Sequence, residues 1–140
     1  MIVDASAVLA ILRDEPDAAF FADALADRAV ACRMSAANCL ETAIVIDSAK
    51  EPVASRRFDD PVARAKVAIE AVTADHAAIA RGAYRDDGEG GGHPAQLNFG
   101  DCFAYALARS SGEPLLCKGD DFVHTDIVVR RPVSWIKSDA

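Results

Sequence analysis

Apolar positions along this chain fall into two textures. Short unbroken runs such as Ile2-Val3 and Leu115-Leu116-Cys117 suit strands buried on both faces. Longer stretches with apolar residues three and four apart suit helices packed by one side. The pattern predicts a strand at 2–4 and a short helix at 6–12, stopped near Glu15-Pro16. A helix at 17–27 follows, capped by Asp17, with Phe20, Phe21 and Leu25 facing inward. A second strand is expected at 29–34. Ser35 then caps a strongly apolar helix to about residue 50. Residues 52–60 read as a loop carrying Arg56 and Arg57. Pro61, at a first-turn position, opens a helix over 62–66 or beyond. A third strand is expected at 69–72, an amphipathic helix at 74–85 and a glycine-rich loop at 86–94. A helix at 101–111 ends at Gly112, a left-handed stop. Strands at 115–117 and 127–129 complete the series. Strands alternating with helices predict an α/β fold: a three-layer α/β/α sandwich around a central, mostly parallel sheet.

The 140 residues suffice for a single domain, 1–140, with a real core, and the 51% hydrophobic content excludes a disordered chain. No apolar run nears the ~18 residues that cross a membrane. The first stretch has no basic leader region and is broken by Asp4, Arg13 and Asp14, so a cytoplasmic protein is expected. Cys32, Cys39, Cys102 and Cys117 form no CxxC pair and sit in apolar surroundings. They read as buried thiols, not as disulfide or zinc ligands. His76, His93 and His124 lack zinc spacing. The Gly-Glu-Gly-Gly-Gly run follows a helix and lacks GxxxxGK[ST], so it reads as a surface loop and not a phosphate cradle. A net charge of −7 excludes a passive basic-patch binder of nucleic acid. It is compatible with a metal-dependent nuclease, whose bound cations reverse the local field.

Acidic residues recur where strand meets helix. Asp4 ends the first strand, where an open α/β sheet binds its ligands. The same position suits a helix cap, for Asp4 as for Ser6. Ala37, Leu40, Glu41, Ile44 and Val45 share one face of the third helix, which is expected to pack inward. A carboxylate there is costly unless paired, protonated or bound to a cation; the alternative is a Glu at the stripe's edge reaching solvent. Asp101 opens a helix, where capping and the helix dipole also favour an acid. Asp120 and Asp121 follow the fourth strand, where acids also form turns. These distant acids map to one edge. Such a cluster cannot ionise fully without a counter-cation, and an all-oxygen set suits Mg²⁺ or Mn²⁺ over Zn²⁺.

At these residues the chain resembles a known family. Ile-Val-Asp4-Ala-Ser6-Ala-Val-Leu-Ala, Ser35-Ala-Ala-Asn-Cys-Leu-Glu41, Leu97-Asn-Phe-Gly-Asp101-Cys-Phe-Ala-Tyr-Ala-Leu-Ala and Leu115-Leu-Cys-Lys-Gly-Asp120-Asp121-Phe122 look like the PIN-domain ribonuclease toxins of VapBC toxin–antitoxin systems. The resemblance implies a PIN-like α/β/α fold and an Mg²⁺- or Mn²⁺-dependent endoribonuclease that cleaves tRNA or rRNA and stops translation. It implies a homodimer neutralised by a VapB-type antitoxin whose C-terminal segment occupies the catalytic groove, with DNA met only indirectly through the antitoxin. By position Asp4, Glu41 and Asp101 match the first three catalytic acids, and Ser6 the hydroxyl residue beside the first. Many relatives carry Asp-x-Asp-Phe after the fourth strand; here Gly119 takes the place of the earlier Asp. Asp120 is the first choice for the fourth acid and Asp121 the alternative.

On this reading the reaction is hydrolysis. Asp4 and Asp101 hold the principal ion, Glu41 helps bind it or orients the water, Ser6 hydrogen-bonds a carboxylate or a metal-bound water, and the fourth acid positions a second ion or a metal water. Lys118, with Arg13, Arg56 and Arg57 at the rim, is the candidate for the RNA phosphates, against the plainer reading of solvated surface charge. The 17–25 helix and the apolar third helix are expected either to form a groove for an antitoxin helix or only to cover the sheet. A phosphatase of the haloacid-dehalogenase type needs Asp-x-Asp after the first strand, where this chain has Ser6. A non-catalytic PIN-like interaction module is the other rival, and the intact acid set argues against it.

Overall fold

The computed structural model describes residues 1–132 apart from 51, 59 and 61–63. Five short parallel strands, β1 (Ile2–Val3), β2 (Arg33–Ser35), β3 (Ala68–Glu70), β4 (Leu115–Leu116) and β5 (Val129–Arg130), form one sheet in the order β3-β2-β1-β4-β5. The helices described are α1 (Ala5–Leu12), α2 (Ala18–Ala26), α3 (Ala36–Ser48), α4 (Pro52–Arg57), α5 (Ala74–Asp87) and α6 (Phe99–Ser111). Successive strand residues point to opposite faces, and the core divides accordingly. Val3, Met34 and Leu116 pack under α1, α2 and α3 with Val8, Phe21 and Ile46. Ile2, Leu115 and Cys117 pack on the other face under α5 and α6 with Ala83, Tyr105 and Leu107. This is the expected three-layer sandwich. The chain moves outward from β1 to β2 and β3, then returns to place β4 on the other side of β1. Strand order therefore reverses between β1 and β4, where open α/β sheets form their ligand crevice.

Several elements differ from the sequence reading. The second strand starts late because an Asx turn occupies its expected first half: the Ala29 amide donates to Asp27 Oδ1 at 3.0 Å, and Val30 N to the Asp27 carbonyl at 3.2 Å. The third and fifth strands are likewise shifted, to Ala68–Glu70 and Val129–Arg130. The loop expected at 52–60 contains α4, opened by Pro52 at a first-turn position that needs no amide donor. The helix expected from Pro61 falls largely outside the described residues; Ala65 and Lys66 lie in a turn. Asp17 stands at the N-cap of α2, but its side chain caps nothing there and pairs with Lys118 instead. No disulfide joins the described cysteines; Cys32, Cys102 and Cys117 are buried and Cys39 is half-buried. No described helix is long and apolar enough to cross a membrane.

The face of α3 is the main correction. Its buried stripe is Asn38, Thr42 and Ile46, while Leu40 and Ile44, expected inward, are 62% and 55% exposed. Helical spacing alone does not choose between adjacent stripes of a helix apolar nearly all round. Here the stripe that can bond its neighbours goes inside: the Thr42 hydroxyl donates to the Asn38 carbonyl at 2.7 Å, and the Asn38 side chain reaches α6.

Candidate functional site

The carboxyl ends of β1 and β4 carry Asp4 and the segment 117–121, and the N-terminus of α6 brings Asp101 to the same place. Asp4 is 5% exposed and caps α1, its Oδ2 accepting from the Ser6 amide at 3.1 Å and the Ser6 hydroxyl at 2.6 Å. The Lys118 amide donates to Ser6 Oγ at 2.9 Å. Since an amide N–H only donates, this contact turns the hydroxyl proton toward Asp4. Asp4 is thus both cap and site residue. Asp101 is the third residue of α6 in a capping box: its Oδ2 accepts from Asn98 N at 3.0 Å, and Asn98 Oδ1 accepts from Asp101 N at 2.9 Å.

Glu41 reaches the cluster from α3. Its Oε1 accepts from Asn38 Nδ2 at 3.3 Å, and the same nitrogen donates to the Gly100 carbonyl at 2.9 Å. A Cβ at residue 100 would stand 1.9 Å from Glu41 Oε2, so the carboxylate lies directly on the glycine. Asn38 is absent from the sequence reading. Its one signal there is an amide side chain one turn before Glu41 on a largely apolar helix.

Burial pushes the Asp4 carboxyl up to about 6, opposed by the Ser6 hydrogen bonds and reinforced by the Glu41 charge. Burial likewise pushes Asp101 up to about 7, opposed by Asn98 and reinforced by Asp4, Asp121 and Glu41. Asp121, not Asp120, therefore shares the field of the other acids. Gly119 adopts φ +97°, a left-handed turn, after which Asp120 faces solvent and pairs with Arg131.

The basic residues stand elsewhere. Lys118 Nζ sits 3.1 Å from both Glu15 Oε2 and Asp17 Oδ1, so its charge is already matched. Arg13 and Arg56 are exposed. Arg57 lies 3.6 Å from Asp14 and lines a cavity of about 980 Å³ with Arg28, Arg64 and Cys32, whose walls include none of the four acids. The glycine-rich loop is tied at its base, Glu89 N donating to the Leu97 carbonyl and Leu97 N to the Asp87 carbonyl at 2.9 Å each; it forms no cradle at the acids.

Among the described residues no Lys, Arg or His pairs with Asp4, Glu41, Asp101 or Asp121. The residues fit a hard divalent cation: the donors are all carboxylate oxygens, and two of them are driven toward protonation by burial, with the neighbouring acids adding to it. As they stand, no three Asp, Glu, His or Cys side chains among the described residues close into a ready-made ligand set.

The chain was compared with known proteins. A model of the PIN domain family matches residues 1–128. Ribonuclease VapC28 of Mycobacterium tuberculosis is 57% identical over 127 residues, covering 91% of this chain and 95% of that protein. Ribonuclease VapC of Mycolicibacterium smegmatis is 53% identical, covering 91% and 97%. Among solved structures, Mycobacterium tuberculosis VapC20, described as a sarcin-ricin loop cleaving toxin, aligns with a TM-score of 0.71 at 20% identity, covering 94% of this chain and 98% of that one. VapBC2 from Rickettsia felis, bound to a DNA fragment from its promoter, aligns with a TM-score of 0.67 at 12% identity, covering 93% and 96%.

Proposed function

Since the chain belongs to the PIN-domain family and, within it, to the VapC ribonucleases, we propose that it is an endoribonuclease toxin whose acids at the β1/β4 crevice act with Mg²⁺ or Mn²⁺. The observation that carries this reading is the pair Asp4, buried, and Asp101, half-buried, which meet at the switch point with no cationic partner among the described residues.

Asp4 and Asp101 would hold the cation, with Glu41 beside them. A cation bound there supplies Lewis acidity toward the scissile phosphate and lowers the pKa of water at the site. The protein's own residues supply position. Ser6 fixes the Asp4 rotamer from one side, and the Asn98 capping box fixes Asp101 from the other. Glu41 orients the attacking water by hydrogen bond. Asp121 is our choice for the fourth acid because it, and not Asp120, acts on Asp101. The basic groups that neutralise RNA phosphates away from the scissile bond are not Lys118, which Glu15 and Asp17 hold.

The substrate we infer is structured RNA, tRNA or rRNA, and the partner a VapB-type antitoxin that brings DNA only indirectly. We infer a homodimer as well. Its supporting feature is the apolar surface of α3 and the start of α6, where Leu40, Ile44 and Phe99 are all more than half exposed. Solvent-facing side chains of that size on two packed helices suit an interface between copies.

The test uses metal-stripped protein and a structured RNA. Cleavage should vanish in EDTA, return with Mg²⁺ or Mn²⁺, and be absent in Asp101→Asn at any metal concentration. Cleavage that persists in EDTA, or a folded Asp101→Asn enzyme that cuts as wild type does, overturns the reading.

A further inference from the structure

Asn38 is fully buried, in a position that apolar side chains usually take. Among the described residues its Oδ1 has no hydrogen-bond partner, and an unsatisfied buried carbonyl costs about 1–3 kcal/mol. The other end of the amide is fully engaged. Both acceptors of Nδ2 belong to the acid site: Glu41 Oε1 at 3.3 Å and the Gly100 carbonyl at 2.9 Å. The amide orientation is fixed by those two acceptors, since an oxygen in place of Nδ2 would face two other oxygens. The backbone of Asn38 is secured in turn by the fully buried Thr42 hydroxyl.

We propose that Asn38 is a positioning residue for Glu41: its amide ties the Glu41 carboxylate to the first turn of α6, so that Glu41 and Asp101 enter the site as one rigid pair. Three local features make the tie work. Asn38 and Glu41 are three apart on α3 and so share a face. Gly100 has no Cβ, and the Glu41 carboxylate occupies the space one would fill. Asp101 is the next residue, its own carboxylate held by the Asn98 amide. Without the tie, Glu41 is a flexible side chain on the flank of α3 whose charge repels Asp4 and Asp101, and among the described residues no other hydrogen bond draws it to them.

This inference rests on the proposed cation site, and the test separates the two. Mn²⁺ binding is measured by calorimetry on the metal-free protein, with thermal melts to establish folding. Asn38→Leu should weaken Mn²⁺ affinity about tenfold, the low end for residues that orient metal ligands, without lowering the melting temperature. Gly100→Ala, which displaces the Glu41 carboxylate from the other side, should weaken it at least as much. In a Glu41→Gln background, Asn38→Leu should cause no further loss, because its effect passes through the Glu41 carboxylate. Should the leucine variant not fold, Asn38→Ser, too short to bridge both partners, takes its place in the same cycle. Unchanged affinity in the folded Asn38 variant overturns the proposal, as does a second tenfold loss on top of Glu41→Gln. Asp101→Asn is the control for the underlying site. If it weakens Mn²⁺ binding while the Asn38 variant does not, only the positioning role fails; if Asp101→Asn binds as wild type does, the cation site itself fails.

Discussion

At the amino edge of the sheet Glu113 accepts from the Met1 α-amine at 2.7 Å and from Arg33, and these two cations hold its carboxyl down at about 2. At the carboxyl edge burial pushes Asp4 up to about 6 and Asp101 up to about 7, with no cation beside them among the described residues. The side chains have the same chemistry and flank the same sheet. One edge is electrostatically complete and adds to stability. The other is left short of positive charge among the described residues and subtracts from stability while both acids are ionised. Acid-to-amide substitution, nearly isosteric, should therefore have opposite consequences at the two edges.

The largest contrast is in activity. Asp101→Asn should lower RNA cleavage by about 10³-fold or more, several kcal/mol at about 1.4 kcal/mol per tenfold. Glu113→Gln should leave cleavage by the folded protein within about twofold. Equal losses at both edges in a cleavage assay would remove the distinction.

Stability should run the other way. Glu113→Gln removes a partner from two cations and should cost about 1–2 kcal/mol after allowance for solvent screening, a fall of about 5 °C in melting temperature. Asp101→Asn, melted at pH 8 without metal, should rise by a comparable amount. A destabilised Asp101→Asn under those conditions would show that the carboxyl edge is not strained by its own charge.

The pH dependence sharpens the same point. The folded-state values of Asp4 and Asp101 lie above the ordinary 3.8, so their protonated forms favour the fold. That contribution is complete below about pH 4 and is lost as pH rises through about 6 to 7. For Glu113 the folded value lies below the ordinary 4.5, so its contribution is complete above that pH and is lost as pH falls toward 2. Metal-free protein should therefore lose stability between pH 5 and 8. The Asp4→Asn/Asp101→Asn double variant should lose less across that range, and Glu113→Gln should differ from wild type least near pH 2. Urea titrations across this range check all three.

How much of this was legible in sequence differs by residue. Asp4, Ser6 and Asp101 were readable because strand ends and helix starts are set locally, by β-runs and capping chemistry. The alternation of Ile2 and Val3 between the two cores follows from the strand period alone. Three features needed tertiary information. Leu40 and Ile44 look like core until the polar stripe of Asn38 and Thr42 is seen to meet α6. Which of Asp120 and Asp121 acts on Asp101 follows a left-handed turn at Gly119 that spacing does not reveal. Lys118 looks available for phosphate until Glu15 and Asp17, about a hundred positions earlier, are found against it.

That last pair gives the smallest expected effect. Lys118→Met should change stability by less than about 1 kcal/mol, as half-exposed ion pairs do, and should leave KM for RNA within about threefold. A tenfold rise in KM would return Lys118 to the phosphate-binding role and place positive charge at the carboxyl edge after all.

The central claim is that Asp4, Glu41 and Asp101 converge at the β1/β4 crevice to hold a hard divalent cation. Anomalous diffraction from crystals soaked in Mn²⁺ tests it most directly. A peak is expected in contact with Asp4 and Asp101, and it should disappear in Asp101→Asn crystals. A peak elsewhere with those two side chains unliganded, or no peak at a Mn²⁺ concentration that supports cleavage, would contradict it.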